Sequence, residues 1–127
     1  MHSPATHRVV TLAAVCAVAS SCGSAGGEPY RTVAGGDPAR GAKAVATYGC
    51  GSCHVIPGIR QAYGVLGPPL VSFGRHTVLA GQVVNSADQL VLWIVNPQRI
   101  KPATAMPNLG VTADDARDIA AYLYTLR

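Results

Sequence analysis

The 127-residue chain is short of aromatic bulk, with one Phe, one Trp and five Tyr. A core made from so few large side chains leaves a small domain lacking buried area, a shortfall commonly met by a metal, a disulfide or a cofactor. Charge is sparse as well. Charged residues form 13% of the chain, occur without runs and sum to only +4. This excludes the basic stripe of a nucleic-acid-binding protein and leaves a mildly basic surface suited to acidic protein partners. The N-terminal apolar run, residues 9–19, has 11 residues, far below the ~20 that a membrane-spanning helix needs. The length allows one small domain and excludes a multidomain enzyme.

The start of the chain reads as a targeting segment. His2, His7 and Arg8 precede the apolar run, the layout of an export signal over residues 1–21. Ala19, Ser20, Ser21 and Cys22 follow. They resemble a bacterial lipobox, in which the Cys is acylated, with Ala19 standing where Leu is usual. Plain cleavage after Ala17-Val18-Ala19 is the alternative, and it would leave Cys22 an exposed, unpaired thiol. Lipidation gives Cys22 a role and is the expectation, placing the protein in the periplasm on a lipid anchor. Residues 22–36, rich in Gly, Ser and Ala, read as a flexible tether of about 20 Å reach, and residues 37–127 as the folded domain.

Beyond residue 21 the chain keeps three Cys, two His and one Met. Two of the Cys and one His lie together in Cys50-Gly51-Ser52-Cys53-His54. This CxxCH pattern is the attachment signature of c-type haem. Chance would place it in roughly four of a thousand chains of this composition. Two thiols at this spacing on a turn can bond the two vinyl groups of one haem, and the adjacent imidazole then reaches the iron. Other readings fit less well. A thioredoxin-like CxxC needs a strand before it, whereas residues 37–49 are helix-like. A zinc site wants four ligands from a set containing only Cys22, Cys50, Cys53, His54 and His76. A disulfide across two residues would be strained and would leave His54 unexplained.

Three helices are expected. Asp37 and Pro38 form an N-cap and first turn, and Ala39, Ala42, Val45 and Ala46 recur at helical spacing up to the motif. Ser86-Ala87-Asp88-Gln89 starts a second helix through the apolar run at 90–95, which stops at Asn96-Pro97. That run is also compatible with a buried strand, but no second strand-like run exists to pair with it. Thr112-Ala113-Asp114-Asp115 opens a last helix with Ala116, Ile119, Ala120, Leu123 and Leu126 on one face.

From Gly36 to the C-terminus the order of features resembles a class I cytochrome c domain. The likeness rests on the first helix, CxxCH, Gly67-Pro68-Pro69-Leu70, Phe73-Gly74-Arg75, the helix ending at Asn96-Pro97, Pro102-Ala103-Thr104-Ala105-Met106 and the Ala-Tyr-Leu helix. Asn85, Leu90, Trp93, Pro97, Lys101, Pro102 and Met106-Pro107 most resemble the cytochrome c domain fused to subunit II of bacterial haem-copper oxidases. The resemblance implies an all-α fold, three main helices and long loops wrapped around one haem c held by two thioethers.

It also implies site roles. Cys50 and Cys53 carry the haem, and His54 binds iron through Nε2 while its other ring nitrogen meets the Pro68 carbonyl. Met106 is expected as sixth ligand over His76, because Pro102 and Pro107 stiffen its loop and it is the one Met after residue 21. Arg75 and Thr104 would meet haem propionates, or act as surface charge and loop cap. Trp93 would donate near the Met sulfur or a propionate, or serve as core packing. Gly41, Val45, Tyr122 and Leu123 would join the first and last helices. With both axial positions filled, the protein would carry single electrons between redox proteins, among them a haem-copper oxidase or a dehydrogenase, with no catalysis, no small-molecule substrate and no nucleic acid. Arg60, Arg99 and Lys101 would border the docking face. Two other classes remain open: a gas-binding or peroxide-reducing haem protein if Met106 does not bind iron, and a thiol-disulfide oxidoreductase using Cys50 and Cys53 if no haem is attached.

Overall fold

Residues 31–127 are described by a computed structural model. The expected export signal at 1–21, Cys22 and residues 23–30 of the expected tether lie outside the described residues. Within 31–127 the elements run α1 (Pro38–Thr47), 3₁₀ turns at Cys50–Ser52 and Phe73–Arg75, β1 (Val78–Leu79), β2 (Val83–Val84), α2 (Ala87–Val95), α3 (Pro97–Ile100) and α4 (Ala113–Thr125). None of these helices is long and apolar enough to cross a membrane.

Helix α1 starts where the Asp37 carboxylate accepts the N–H groups of Ala39 and Arg40 at 2.8 and 2.9 Å, satisfying two of the first-turn donors. Its buried stripe is Gly41 and Val45. The series expected from spacing was Ala39, Ala42, Val45 and Ala46, but Ala39 and Ala46 are exposed and Ala42 is half-buried. The missing side chain at Gly41 decides this, since a Cβ there would stand 2.0 Å from the Asp118 carbonyl oxygen. Only glycine lets α1 and α4 approach so closely.

Helix α4 begins at Thr112, whose hydroxyl accepts the Asp115 N–H at 3.1 Å and donates to Asp115 Oδ2 at 2.9 Å. Ala116, Ile119, Ala120 and Leu123 are buried along it, with Leu126 just beyond its end. Asp118 and Tyr124 are buried beside them. Asp118 is only 5% exposed and is satisfied by three donors: the Asp37 N–H at 2.7 Å, and Arg40 Nε and Nη2 at 2.7 and 2.9 Å. The two-pronged guanidinium pair is the strong form of such a contact, and it fastens the start of α1 to the middle of α4.

The apolar run at 90–95 is helical. Ser86 caps α2, and Leu90 and Ile94 face the core. The helix stops at Asn96 as expected, but Pro97 opens a further short helix, α3, because a proline without an N–H and with φ fixed near −65° suits a first helical turn. The all-α expectation also omits a small antiparallel hairpin in which Val78 faces Val84 and Leu79 faces Val83. Two-residue strands are too short for alternation to reveal.

Contacts with the domain are also made ahead of the expected start at Asp37: Arg31 donates to the carbonyls of Gly74 and His76, and Val33 packs against the core.

Hydrogen bonds from Arg40 and the Asp37 N–H hold the Asp118 carboxyl below the usual carboxylate range. A lowered folded-state pKa stabilises the protein above the unfolded value of about 3.9 and stops doing so as pH falls through the folded value. Asp118→Asn should therefore melt at a lower temperature than the parent at pH 7. The gap should close as melts are repeated at successively lower pH below about 4; a gap independent of pH would count against the ion pair as its cause.

Candidate functional site

The CxxCH turn hangs directly from the end of α1. The helix closes with the Tyr48 N–H on the Ala44 carbonyl, and the chain then winds through Cys50–Ser52 so that the Cys53 and His54 N–H groups both reach the Cys50 carbonyl, at 3.3 and 3.1 Å. Residues 61–70 wrap around this turn. Gly64 N–H donates to the Gly51 carbonyl at 3.0 Å, Gly67 N–H to Cys53 at 2.8 Å and Leu70 N–H to Val55 at 2.8 Å. Backbone from the wrapping loop thus satisfies carbonyls that the short turn cannot use itself.

His54 is half-buried, and its Nδ1 lies 2.7 Å from the Pro68 carbonyl oxygen. Since a carbonyl only accepts, this contact places a proton on Nδ1 and leaves Nε2 as a lone-pair donor. Nε2 has no hydrogen-bond partner among the described residues. Gly67 makes the ring's position possible, for a Cβ there would stand 2.4 Å from Cε1 and 2.7 Å from Nδ1. Beside Gly67 in the chain, Val65 and Leu66 are each 85% exposed. Large apolar side chains so open to water are the sort that a bound partner or ligand covers.

Cys50 and Cys53 are free, half-buried thiols. Burial pushes the Cys50 thiol up, with the neighbouring Cys53 adding to the effect against a lowering backbone hydrogen bond. A disulfide oxidoreductase needs the opposite, a thiolate stabilised by a helix N-terminus or a cation. Here the pair follows a helix C-terminus, and no strand precedes it among the described residues. The zinc reading also lacks support, because no group of three or more His, Cys, Asp or Glu among the described residues is arranged to hold a metal. The donor set fits a flat apolar group with a metal at its centre: two thiols for covalent attachment, one free imidazole nitrogen, and adjoining apolar side chains.

Met106 lies on a second loop. Its N–H donates to Thr104 Oγ1 at 3.2 Å, and its carbonyl accepts from Gln98 Nε2 at 2.9 Å. Thr104 therefore caps the loop while its hydroxyl proton stays available. Gln98, on α3, is an anchor that sequence reasoning missed, since a polar residue inside a helical turn has no pattern that marks it. Trp93 is half-buried on α2, packed against the core, and its indole N–H has no hydrogen bond among the described residues. Arg75 is exposed and, among the described residues, unpaired. His76 is exposed too, its ring tilted against Phe73 at 5.4 Å. The hydrogen bonds described thus gather the motif and Pro68 into one group, and Thr104 and Met106 into another.

The model of the Cytochrome c family matches residues 38–127. The chain is 31% identical over 101 residues to cytochrome c oxidase subunit 2 of Alkalihalophilus pseudofirmus, an alignment that covers 79% of this chain and 28% of that protein's length. Among solved structures, cytochrome c2 from Rhodobacter sphaeroides aligns with a TM-score of 0.47 and 21% identity, over 72% of this chain and 96% of that one.

Gly67→Ala should push the His54 ring off the Pro68 carbonyl. The expected readout is loss of the protected Nδ1–H resonance in imidazole NMR, with a stability cost of about 1–3 kcal/mol. An unchanged resonance would mean that the loop yields without moving the ring.

Proposed function

Because the chain belongs to the cytochrome c family, whose members carry electrons on a covalently bound haem c and are not enzymes, we propose that Cys50 and Cys53 form two thioethers with one haem and that His54 and Met106 bind its iron. The observation that carries this reading is the contact of His54 Nδ1 with the Pro68 carbonyl, which fixes the tautomer with Nε2 free for iron and makes the imidazole a better donor. When bound, the haem takes up and gives back one electron at a time. The residues of the chain set the conditions for that exchange. Two protein ligands leave substrates no open coordination position, and a Met thioether favours Fe(II) more than a second imidazole would. Gln98 and Thr104 hold the Met106 backbone from both sides, so little backbone freedom is left to lose on binding. Arg75 and the Thr104 hydroxyl are free to meet haem propionates, and the Trp93 indole to donate beside them or near the Met106 sulfur.

The apolar run at 9–19 and Cys22 support export to the periplasm and a lipid anchor. The kinship with an oxidase subunit supports a haem-copper oxidase as redox partner, with a dehydrogenase as the alternative. Arg60, Arg99 and Lys101 are exposed and outside any ion pair among the described residues, and they supply the charge for weak docking on an acidic surface.

The purified, correctly matured protein should show a c-type absorbance spectrum that sharpens on reduction, and should keep its haem stain after denaturation. A colourless sample would overturn the reading. Met106→Ala should keep the covalent stain, lower the reduction potential and let carbon monoxide bind without denaturation; an unaltered spectrum would remove Met106 from the iron.

Electron transfer to an acidic partner should slow by about tenfold between low and physiological salt, and Arg99→Glu with Lys101→Glu should slow it similarly at low salt. Rates indifferent to both changes would rule out charge-steered docking on this face.

A further inference from the structure

Arg31 lies outside the stretch that matches the family, which begins at residue 38, yet it is tied into the folded unit. Its Nη1 donates to the His76 carbonyl at 2.7 Å and to the Gly74 carbonyl at 3.3 Å. Its guanidinium stands 5.8 Å from the centre of the Tyr124 ring, within cation–π range. The Tyr124 hydroxyl donates to Asn85 Oδ1 at 3.0 Å, and Asn85 Nδ2 returns to the His76 carbonyl at 2.9 Å. Asn85 is 1% exposed, so its bonds are made where water does not compete. The Gly74 N–H donates to the Leu126 carbonyl at 2.7 Å.

These contacts converge on one short turn. The carbonyls tied down by Arg31 and Asn85 belong to the residues on either side of Arg75, and Phe73, which begins the turn, stacks on Tyr124 at 6.2 Å between ring centres. At the middle of this restrained backbone, Arg75 projects an exposed guanidinium with no hydrogen bond or ion pair among the described residues. A cation that is free at its tip and fixed at its base loses less entropy when it grips a carboxylate than one on a loose loop.

We propose that Arg31 is a positioning residue for the haem site: by holding the Gly74 and His76 carbonyls it presets Arg75 to pair with a haem propionate. The proposal rests on the reading of Arg75 given above. Arg31 acts through the backbone on either side of Arg75.

The test is a double-mutant cycle on the matured holoprotein, with the haem's reduction potential measured by spectroelectrochemical titration and thermal melting recorded alongside. Arg75→Ala removes a positive charge beside the propionate and should favour Fe(III). Arg31→Ala should shift the Fe(III)/Fe(II) ratio at fixed applied potential the same way by a smaller factor, about two- to fivefold, and should add nothing in the Arg75→Ala background. Arg31→Lys keeps the charge and one donor but not the planar fork and should give an intermediate shift; if Arg31→Ala does not mature, the same cycle run with Arg31→Lys decides. Equal shifts in both backgrounds would show that Arg31 acts by its own charge and would overturn the proposal. A lower melting temperature with an unchanged potential would make Arg31 a structural staple and overturn it equally. If Arg75→Ala itself leaves the potential unchanged, the propionate reading falls and takes the proposal with it, a pattern distinct from a silent Arg31→Ala beside an active Arg75→Ala.

Discussion

At Gly41 the backbones of α1 and α4 meet with no room for a side chain, and the remaining elements are placed by that contact. The two helices are far apart in sequence, so closing the loop between them carries an entropic cost that local structure cannot recover. Close van der Waals packing at Gly41 and Val45 offsets part of it, and the Arg40–Asp118 pair adds direction. Because the CxxCH turn begins three residues after α1 ends, fixing α1 on α4 also fixes where the thiols and His54 stand.

From that anchor the site is assembled largely by backbone. Carbonyls of Gly51, Cys53 and Val55 accept from the loop at 61–70, and the carbonyl of Pro68 then meets His54. Two prolines at 68 and 69 have no N–H to satisfy and restrict the chain to extended conformations, so the loop can turn a carbonyl inward without stranding a donor. The second loop is built differently. Met106 is held by side chains, Gln98 and Thr104, because its own segment is too short to form a ladder.

Scarcity of aromatics shapes the rest. The chain has little ring bulk to bury, and three of its tyrosines serve as cross-links: Tyr48 to Asp115, Tyr122 to the Pro57 carbonyl and Tyr124 to Asn85. Each contributes apolar area on one side and a directed hydrogen bond on the other. Together they tie the end of α1, the loop after the motif and the segment before α2 to α4. The exposed Val65 and Leu66 beside His54 are consistent with a core that the polypeptide alone does not complete.

The helix starts at Asp37, Ser86 and Thr112, the stop at Asn96 and the CxxCH motif were legible in the sequence, because capping and covalent chemistry depend on residues a few positions apart. The face of α1 was legible in part. Spacing picked out Val45, which is buried, together with three alanines that packing leaves exposed or half-buried; Gly41 came from the family resemblance and not from spacing, because the value of an absent side chain shows only when another helix arrives. Spacing gave no hint that Asp118 would be buried, that Gln98 would hold Met106, or that Arg31 would tie into the domain ahead of Asp37. All three depend on partners brought together by the tertiary structure, whether 8 residues away or about 80, and pairings of that kind leave no local periodicity to read. The sequence by itself determined the kind of chemistry the chain can support, through two thiols and an imidazole at fixed spacing, and its family resemblance named Pro68 as the partner of that imidazole; only the folded structure brings the Pro68 carbonyl from another loop onto Nδ1, the contact that sets the proton's place and leaves Nε2 free.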